Sequence, residues 1–143
     1  MNDNLISVDS NIIVYAYDAA AKEKHLIAKN KLSVLWDQII LPFISVQVLQ
    51  ECYVAFLKRG IPIQSAKEII RLHLQWNVLN NDSDLLMIAI HFKERWQLFL
   101  GDALIIAAAR RSEANVIWSE DLNPGQEYEG IKVVNPFHGA LKP

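Results

Sequence analysis

Short apolar segments alternate with longer helical patterns along the chain, and this alternation constrains the fold more than any other feature of the sequence. The segments rich in Ile, Val and Leu predict five strands, at residues 5–8, 39–44, 76–79, 115–118 and 131–134. The stretches between them predict six helices, at residues 11–17, 22–37, 45–59, 62–74, 84–96 and 102–112. Strands that alternate with helices favour βαβ units, and therefore a parallel sheet with helices on both faces.

Several of these predicted helices carry recognisable end signals. Ser45, Pro62 and the triplet Asp82-Ser83-Asp84 are typical of helix starts, and Gly60 is typical of a helix stop. Residues 123–126 (Asn-Pro-Gly-Gln) predict a turn ahead of the last strand.

The last predicted helix is apolar on almost every side. Residues 103–109 contain only Ala, Leu and Ile, so we expect this helix to be buried. Asp102 would then place a charge at the start of a core helix, near the positive end of the helix dipole.

Composition excludes several classes of protein. The chain has 143 residues, 52% hydrophobic and 21% charged, so residues 1–143 are expected to form one domain with a real core. The only cysteine is Cys52, which leaves no disulfide framework and no cysteine-based zinc site within one chain. No charged-then-apolar leader precedes the first strand, and no apolar run approaches about 18 residues, so we expect a cytoplasmic protein without a membrane segment.

The net charge of −2 argues against a uniformly basic surface for nucleic acid. Any contact with nucleic acid would have to be local, or helped by metal ions or a partner chain. Basic residues do occur in three groups, each of which is more typical of a solvated helix face. These groups are Lys22, Lys24, Lys29 and Lys31; Lys58 and Arg59; and Arg110 and Arg111.

Four acidic residues follow the predicted strands or lie in the helices after them. They are Asp9, Glu51, Asp102 and Asp121. In a parallel sheet wrapped by helices these positions share one edge, so we expect the four carboxylates, here called the acidic quartet, to lie together. Two charges about 5 Å apart repel by roughly 3 kcal/mol at an effective dielectric of about 20, and a divalent cation is the usual remedy. Carboxylate oxygens suit Mg²⁺ or Mn²⁺, so the sequence predicts metal-dependent phosphoryl chemistry.

Each member of the quartet also has a purely structural interpretation. Asp9 and Asp102 are at positions where Asp commonly caps a helix. Asp121 is equally typical of a loop carboxylate. Glu51 shares a polar stripe with Gln47 and is typical of a solvated glutamate. The four together are more informative than any one of them.

Other acidic or phosphate-binding α/β sites are not supported by the sequence. An aspartyl-phosphate phosphatase would have DxD after the first strand, where this chain has Asp9-Ser10-Asn11. The chain contains neither GxxxxGK[ST] nor GxGxxG, which excludes a P-loop and a dinucleotide fingerprint. A phosphoacceptor receiver domain would have a lysine after its last strand, where this chain continues into residues 135–137 (Asn-Pro-Phe).

With these residues in view, the chain resembles the PIN-domain nucleases, in particular VapC-type toxins of toxin–antitoxin pairs. The resemblance spans nearly the whole chain in motif order. It rests on residues 8–18 (VDSNIIVYAYD), 50–51 (QE), 101–109 (GDALIIAAA), 119–126 (SEDLNPGQ) and 130–137 (GIKVVNPF). Gly101 departs from the pattern, because relatives often have an aromatic residue before the third acid.

The resemblance implies a PIN-like three-layer α/β/α sandwich around a central parallel sheet. It also implies a Mg²⁺- or Mn²⁺-dependent endoribonuclease, in which the acidic quartet holds one or two metal ions and hydrolysis uses an activated water. Asn11 and Ser119 are candidates for hydrogen bonds to the ligand carboxylates, although each is also typical of a cap or turn residue.

The partners implied by the resemblance are RNA, a cognate antitoxin protein and a second copy of the chain. The helices at 45–59 and 62–74 are apolar enough to leave surface exposed beyond what the sheet covers, which would suit an antitoxin segment. Two alternatives remain: a PIN-fold nuclease outside a toxin pair, acting in RNA maturation or DNA processing, and a non-catalytic PIN-like binding module. Retention of four repelling acids argues against the binding module.

Overall fold

A computed structural model describes residues 4–138 of the chain. Six strands form one sheet: β1 (Ile6–Val8), β2 (Phe43–Ser45), β3 (Asn77–Leu79), β4 (Val116–Trp118), β5 (Glu127–Tyr128) and β6 (Ile131–Val134). The helices are α1 (Ser10–Ala16), α2 (Glu23–Trp36), α3 (Val46–Lys58), α4 (Ile63–His73), α5 (Ser83–Trp96) and α6 (Leu100–Arg111), with a 3₁₀ turn at Ala19–Ala21.

The sheet order is β3-β2-β1-β4-β6-β5, and every pair is parallel except β5 with β6. In the centre of the sheet Ser7 of β1 is opposite Phe43 of β2 on one side and Ile117 of β4 on the other. Helices α1 to α4 contact one another, and α5 packs against α6. This is the three-layer α/β/α sandwich that the sequence predicts.

The core is built from the apolar faces that the periodicity indicates. Helix α6 is buried from Ile105 to Ala109, as expected for a helix that is apolar almost all round. Its alanines have small side chains, which allow close approach to the strands. Within residues 4–138, no helix is both long enough and apolar enough to span a bilayer.

The predicted helix ends are largely confirmed by hydrogen bonds. The Ser45 hydroxyl accepts a hydrogen bond from the Val48 amide at 3.2 Å, and the Asp82 carboxylate accepts one from the Leu85 amide at 2.8 Å. Gly60 has φ of 82°, the left-handed conformation that glycine adopts without a steric penalty, just after α3. Pro62 is the N-cap of α4 and precedes its first turn.

Two details of the sheet differ from the sequence prediction. Strand β2 begins at Phe43, because residues 39–42 lie in a surface connection where Ile39 is fully exposed. Strand β5 was not predicted. It has only two residues and runs antiparallel at the edge of the sheet, so the sheet is mostly but not wholly parallel.

Candidate active site

Asp9 is located where β1 passes into α1, and its interpretation as a helix cap is confirmed. Its carboxylate accepts a hydrogen bond from the Ser10 amide at 2.7 Å, which makes it the N-cap of α1. The same carboxylate accepts a hydrogen bond from the Ser119 hydroxyl, also at 2.7 Å. Its backbone amide donates to the carbonyl of Trp118 at 2.9 Å, which fixes it beside the end of β4. Asp9 is only 4% exposed.

The surroundings of Asp9 disfavour its ionised form. Burial raises the pKa of Asp9 to about 6, and the nearby carboxylates of Asp121 and Glu51 contribute to the rise. Hydrogen bonds from Ser119 and Ser10 act in the opposite direction but do not cancel it. At neutral pH the side chain is therefore charged in a place where negative charge is costly, and a cation would relieve that cost.

Asn11 links Asp9 to Asp121, which lies in the loop after β4. The Asn11 amide nitrogen donates to Asp121 Oδ2 at 3.0 Å and lies 3.5 Å from Asp9 Oδ2. Ser119 makes a second link, because its hydroxyl accepts from the Asp121 amide at 3.1 Å while it donates to Asp9. The parallel pairing of β1 with β4 is what brings these distant segments together.

Glu51 reaches the site from the exposed face of α3, in the second turn after β2 ends. The Gln47 side-chain amide donates to Glu51 Oε2 at 3.0 Å, and the Gln47 backbone amide donates to the side-chain oxygen of Asn81 at 3.0 Å. Gln47 Oε1 is buried and has no hydrogen-bond partner within residues 4–138. A Cβ on Gly101 would be 4.0 Å from Gln47 Nε2, so Gln47 occupies the space beside the residue that precedes Asp102.

Asp102 lies in the first turn of α6 and is half-buried. It is not the helix cap that its position suggested, because α6 begins at Leu100 and its N-cap is Phe99. Burial is the largest cause that raises the pKa of Asp102, and the negative charges of Asp121 and Glu51 raise it further. The structure thus brings all four predicted acids into one electrostatically coupled group, because Asp121 and Glu51 act on both Asp9 and Asp102.

The chemistry of these donors suits a hard divalent cation. Four carboxylates repel one another, and the uncommitted oxygen of Gln47 adds a further acceptor beside Glu51. In the arrangement described for residues 4–138, no three Asp, Glu, His or Cys side chains converge closely enough to share one ion. The side chains of Asn11, Gln47 and Ser119 instead donate hydrogen bonds to the carboxylates of Asp121, Glu51 and Asp9, respectively.

Contacts among Tyr15, Lys24 and Glu120, none of which was predicted as a site residue, support the loop between Ser119 and Asp121. The carboxylate of Glu120 accepts hydrogen bonds from the Tyr15 hydroxyl and, at 2.7 Å, from the Lys24 ammonium. Lys24 also lies 5.2 Å from the centre of the Tyr15 ring. Lys24 and Glu120 are 96 residues apart, so no local sequence signal could have paired them.

Helices α3 and α4 leave an open apolar groove of about 610 Å³ between them. Its apolar walls come from Leu49, Tyr53, Val54, Ile70 and Leu74, and its charged rim from Lys67 and Arg71. The expectation that these helices keep exposed apolar surface is confirmed, since Val54 is 51% and Leu74 53% exposed.

The profile of a protein family described as PIN domain matches residues 6–125. No curated protein sequence matches the chain significantly. Solved structures do resemble it. A toxin–antitoxin complex from Klebsiella pneumoniae has a TM-score of 0.68 at 20% sequence identity, covering 92% of this chain and 97% of that chain.

Two further structures are similar. VapC20 from Mycobacterium tuberculosis, described as a sarcin–ricin loop cleaving toxin, has a TM-score of 0.65 at 19% identity and covers 81% of this chain and 89% of its own. FitAB bound to an IR36 DNA fragment has a TM-score of 0.67 at 16% identity, with 94% and 96% covered. At these identities the likeness shows the fold.

Proposed function

Because this chain belongs to the PIN domain family, we propose that it is a Mg²⁺- or Mn²⁺-dependent endoribonuclease and the toxin of a toxin–antitoxin pair. Its fold is shared with a toxin–antitoxin complex and with a toxin described as cleaving the sarcin–ricin loop, which supports this role. Cytoplasmic location and a single domain over residues 1–143 are part of the proposal.

The observation that carries the proposal is the buried charge of Asp9. A carboxylate that served only as a helix cap would be solvated or paired with a basic group, whereas Asp9 is buried beside two other acids. Such a cluster raises the free energy of the folded chain, and this cost is offset if the site binds a cation.

We assign metal binding to the acidic quartet, in which Asp9 is buried and Glu51 and Asp121 are exposed. The quartet would hold a divalent ion, which would supply activation of water at neutral pH and stabilisation of the charge on a phosphodiester. Asn11 and Ser119 hold the carboxylates of Asp9 and Asp121 in fixed directions, and Gln47 does so for Glu51. This chemistry needs no 2′-hydroxyl, so the RNA assignment rests on the family.

We assign the α3–α4 groove to the antitoxin. An amphipathic segment that lays its apolar face between Tyr53 and Ile70 would bury the exposed surface of both helices. A basic side chain from that segment, directed toward Glu51 on the same helix, would compete with the cation for the acidic quartet.

We also propose a homodimer, because other apolar side chains are exposed on α5 and at the start of α6. Met87 is 63% and Phe99 83% exposed. Light scattering on the isolated chain would test this assignment, and a strict monomer at high micromolar concentration would remove it without affecting the nuclease proposal.

The decisive experiment is cleavage of labelled RNA by the purified chain, with Mg²⁺, with Mn²⁺ and with EDTA. We expect cleavage only with a divalent ion, and loss of cleavage in Asp9→Asn, Asp102→Asn and Asp121→Asn. Asn retains the shape of Asp, and at position 9 also its capping ability, while it removes one repelling charge, so the melting temperatures of the three variants without metal should stay level or rise.

The same assay with single-stranded and duplex DNA of matching sequence distinguishes the proposed ribonuclease from a DNA-processing nuclease of the same fold. If all three Asn variants unfold, the acids are structural and the site assignment is wrong. If the folded wild-type chain cleaves neither RNA nor DNA with either ion, the chain is a binding module.

A further inference from the structure

A second cleft, which the acidic quartet does not use, lies along α2 where it meets the end of α1. Its volume is about 560 Å³, within the range of about 300–1,000 Å³ found for ligand pockets. Its polar and aromatic lining consists of Tyr17, His25, Lys29, Ser33, Trp36 and Asp37. We call it the α2 cleft.

The helix that forms one wall of the α2 cleft carries a net positive charge, and the lining itself contains one cation, Lys29, and one anion, Asp37. Residues 22–37 contain four lysines against Glu23 and Asp37, whereas the net charge of the chain is −2. Lys29, in the lining, is exposed, and within residues 4–138 no carboxylate lies within ion-pair distance of its ammonium group. Lys29 is therefore available to a phosphate.

The two aromatic residues of the lining, Tyr17 and Trp36, pack against other aromatic rings. The ring of Trp36 lies 5.6 Å from that of buried His73 and 5.4 Å from that of Trp76. The ring of Tyr17 lies 5.7 Å from that of His73 and 5.9 Å from that of Phe56. A flat ligand that stacks on either ring meets a surface whose orientation is already fixed, so little side-chain entropy is lost.

The start of α2 connects the α2 cleft to the loop that carries Asp121. Lys24 at the start of α2 binds Glu120, whose neighbour in the chain is Asp121. His25 follows Lys24, and its Nδ1 lies 2.9 Å from the carbonyl oxygen of Tyr15. With a proton on Nδ1 this contact is a hydrogen bond, and Nε2 is then an acceptor. Nine residues of helix separate Lys24 from Ser33, a distance of about 13 Å.

We infer that the α2 cleft binds a nucleotide of single-stranded RNA that flanks the scissile phosphate. This inference rests on the proposed nuclease function and names where its substrate continues beyond the acids. Lys29 contacts a phosphate, the ring of Trp36 or Tyr17 stacks on a base, and Asp37 accepts from a base amino group. His25 Nε2 and the Ser33 hydroxyl are the partners for a 2′-hydroxyl.

The test compares Lys29→Ala with Lys31→Ala, which removes the same charge from the same exposed helix two residues away, outside the lining. Binding of a fluorescein-labelled, mixed-sequence, single-stranded oligoribonucleotide is measured by fluorescence anisotropy in EDTA over a range of salt concentrations. We expect Lys29→Ala to weaken binding about threefold to tenfold and to reduce the slope of log K against log salt by about 0.7, while Lys31→Ala matches the wild type.

A second pair of variants tests the cleft without removing a lysine. Ser33→Glu introduces negative charge into the lining and should weaken binding, whereas Ser33→Ala should change it little. With the active enzyme, Lys29→Ala should raise KM for RNA by a larger factor than it lowers kcat.

The possible results distinguish RNA binding in the α2 cleft from the proposed nuclease activity. Equal RNA binding by wild type, Lys29→Ala and Ser33→Glu overturns the α2 cleft even if RNA is cleaved, as does a wild-type chain that binds no RNA. Lys29-dependent binding by a chain that cleaves neither RNA nor DNA supports the cleft and removes the nuclease.

Discussion

At the scale of single residues, Asp9 should make the stability of the metal-free chain depend on pH in an unusual direction. Its folded-state pKa of about 6 lies above the ordinary value of 3.8, so between these values the folded chain binds more protons than the unfolded chain. The stabilisation by protonated Asp9 is complete below about pH 4 and is lost as the pH rises through about 6.

The expected loss from this single group is about 3 kcal/mol, from roughly 1.4 kcal/mol per pKa unit. Urea unfolding in EDTA between pH 4 and pH 8 measures it. Asp9→Asn is the control, because it cannot titrate, and its stability should vary much less across that interval. A wild-type chain that is more stable at pH 8 than at pH 5 would show that Asp9 is not buried as described.

Gln47 offers a second residue-scale test, because its amide donates to Glu51. Gln47→Leu should weaken Mn²⁺ binding about tenfold or more, as loss of hydrogen bonds to metal ligands commonly does. Calorimetric titration measures the affinity directly. Gln50→Leu, an exposed position on the same helix, is the control, and equal affinities in the two variants would exclude a positioning role for Gln47.

Among the elements, one glycine follows the end of α3 and another lies in the first turn of α6. We expect replacement by alanine to have opposite effects on stability at these two positions. Gly60 has φ of 82° with open space around it, so Gly60→Ala should destabilise the chain by about 1 kcal/mol through backbone strain alone. Gly101 lies in the first turn of α6, where a Cβ meets only Gln47 at 4.0 Å. Gly101→Ala should therefore be neutral or stabilise by up to about 1 kcal/mol.

Thermal unfolding of the two alanine variants shows whether each substitution lowers or raises the stability of the chain. Destabilisation by Gly101→Ala would mean that the contact with Gln47 is tighter than an ordinary van der Waals contact. No loss in Gly60→Ala would mean that the end of α3 relaxes to a negative φ.

The helices were predictable from sequence to within two residues at each end, because their periodicity and caps are local properties. The positions of the strands were less predictable. Ile39 and Ile40 are as apolar as any strand residue, yet they lie in a surface connection, since strand formation depends on which neighbour is available for pairing. Strand β5 has two residues and no alternation to detect.

In the candidate site, too, local features were predictable from the sequence and contacts between distant segments were not. Asp9, Asp102 and Asp121 could be identified because they lie at element ends, and the burial of Asp9 could not. The links from Asn11 to Asp121 and from Lys24 to Glu120 join segments 110 and 96 residues apart, so only the folded chain displays them. Gln47 was identifiable in principle, as it is one helical turn before Glu51.

For the molecule as a whole, a divalent ion should raise the stability of the wild-type chain. If the acidic quartet holds the ion, as we propose, binding is confined to the folded chain, so at 100-fold excess over the dissociation constant the gain is about 2.7 kcal/mol. Melting with and without Mg²⁺ measures this gain. Asp9→Asn should lose most of it, and equal stabilisation of the two proteins would count against a shared metal site.

The strand order also has a consequence for the timing of synthesis. Strand β1 lies between β2 and β4, and β4 is made more than 100 residues after β1. On the ribosome, which releases the N-terminal segments first, β1 can pair with β2 long before its other neighbour exists. Asp121 joins Asp9 only after β4 has been made and has paired with β1. We therefore expect the growing polypeptide to lack an assembled acidic quartet until after residue 121 has been synthesised.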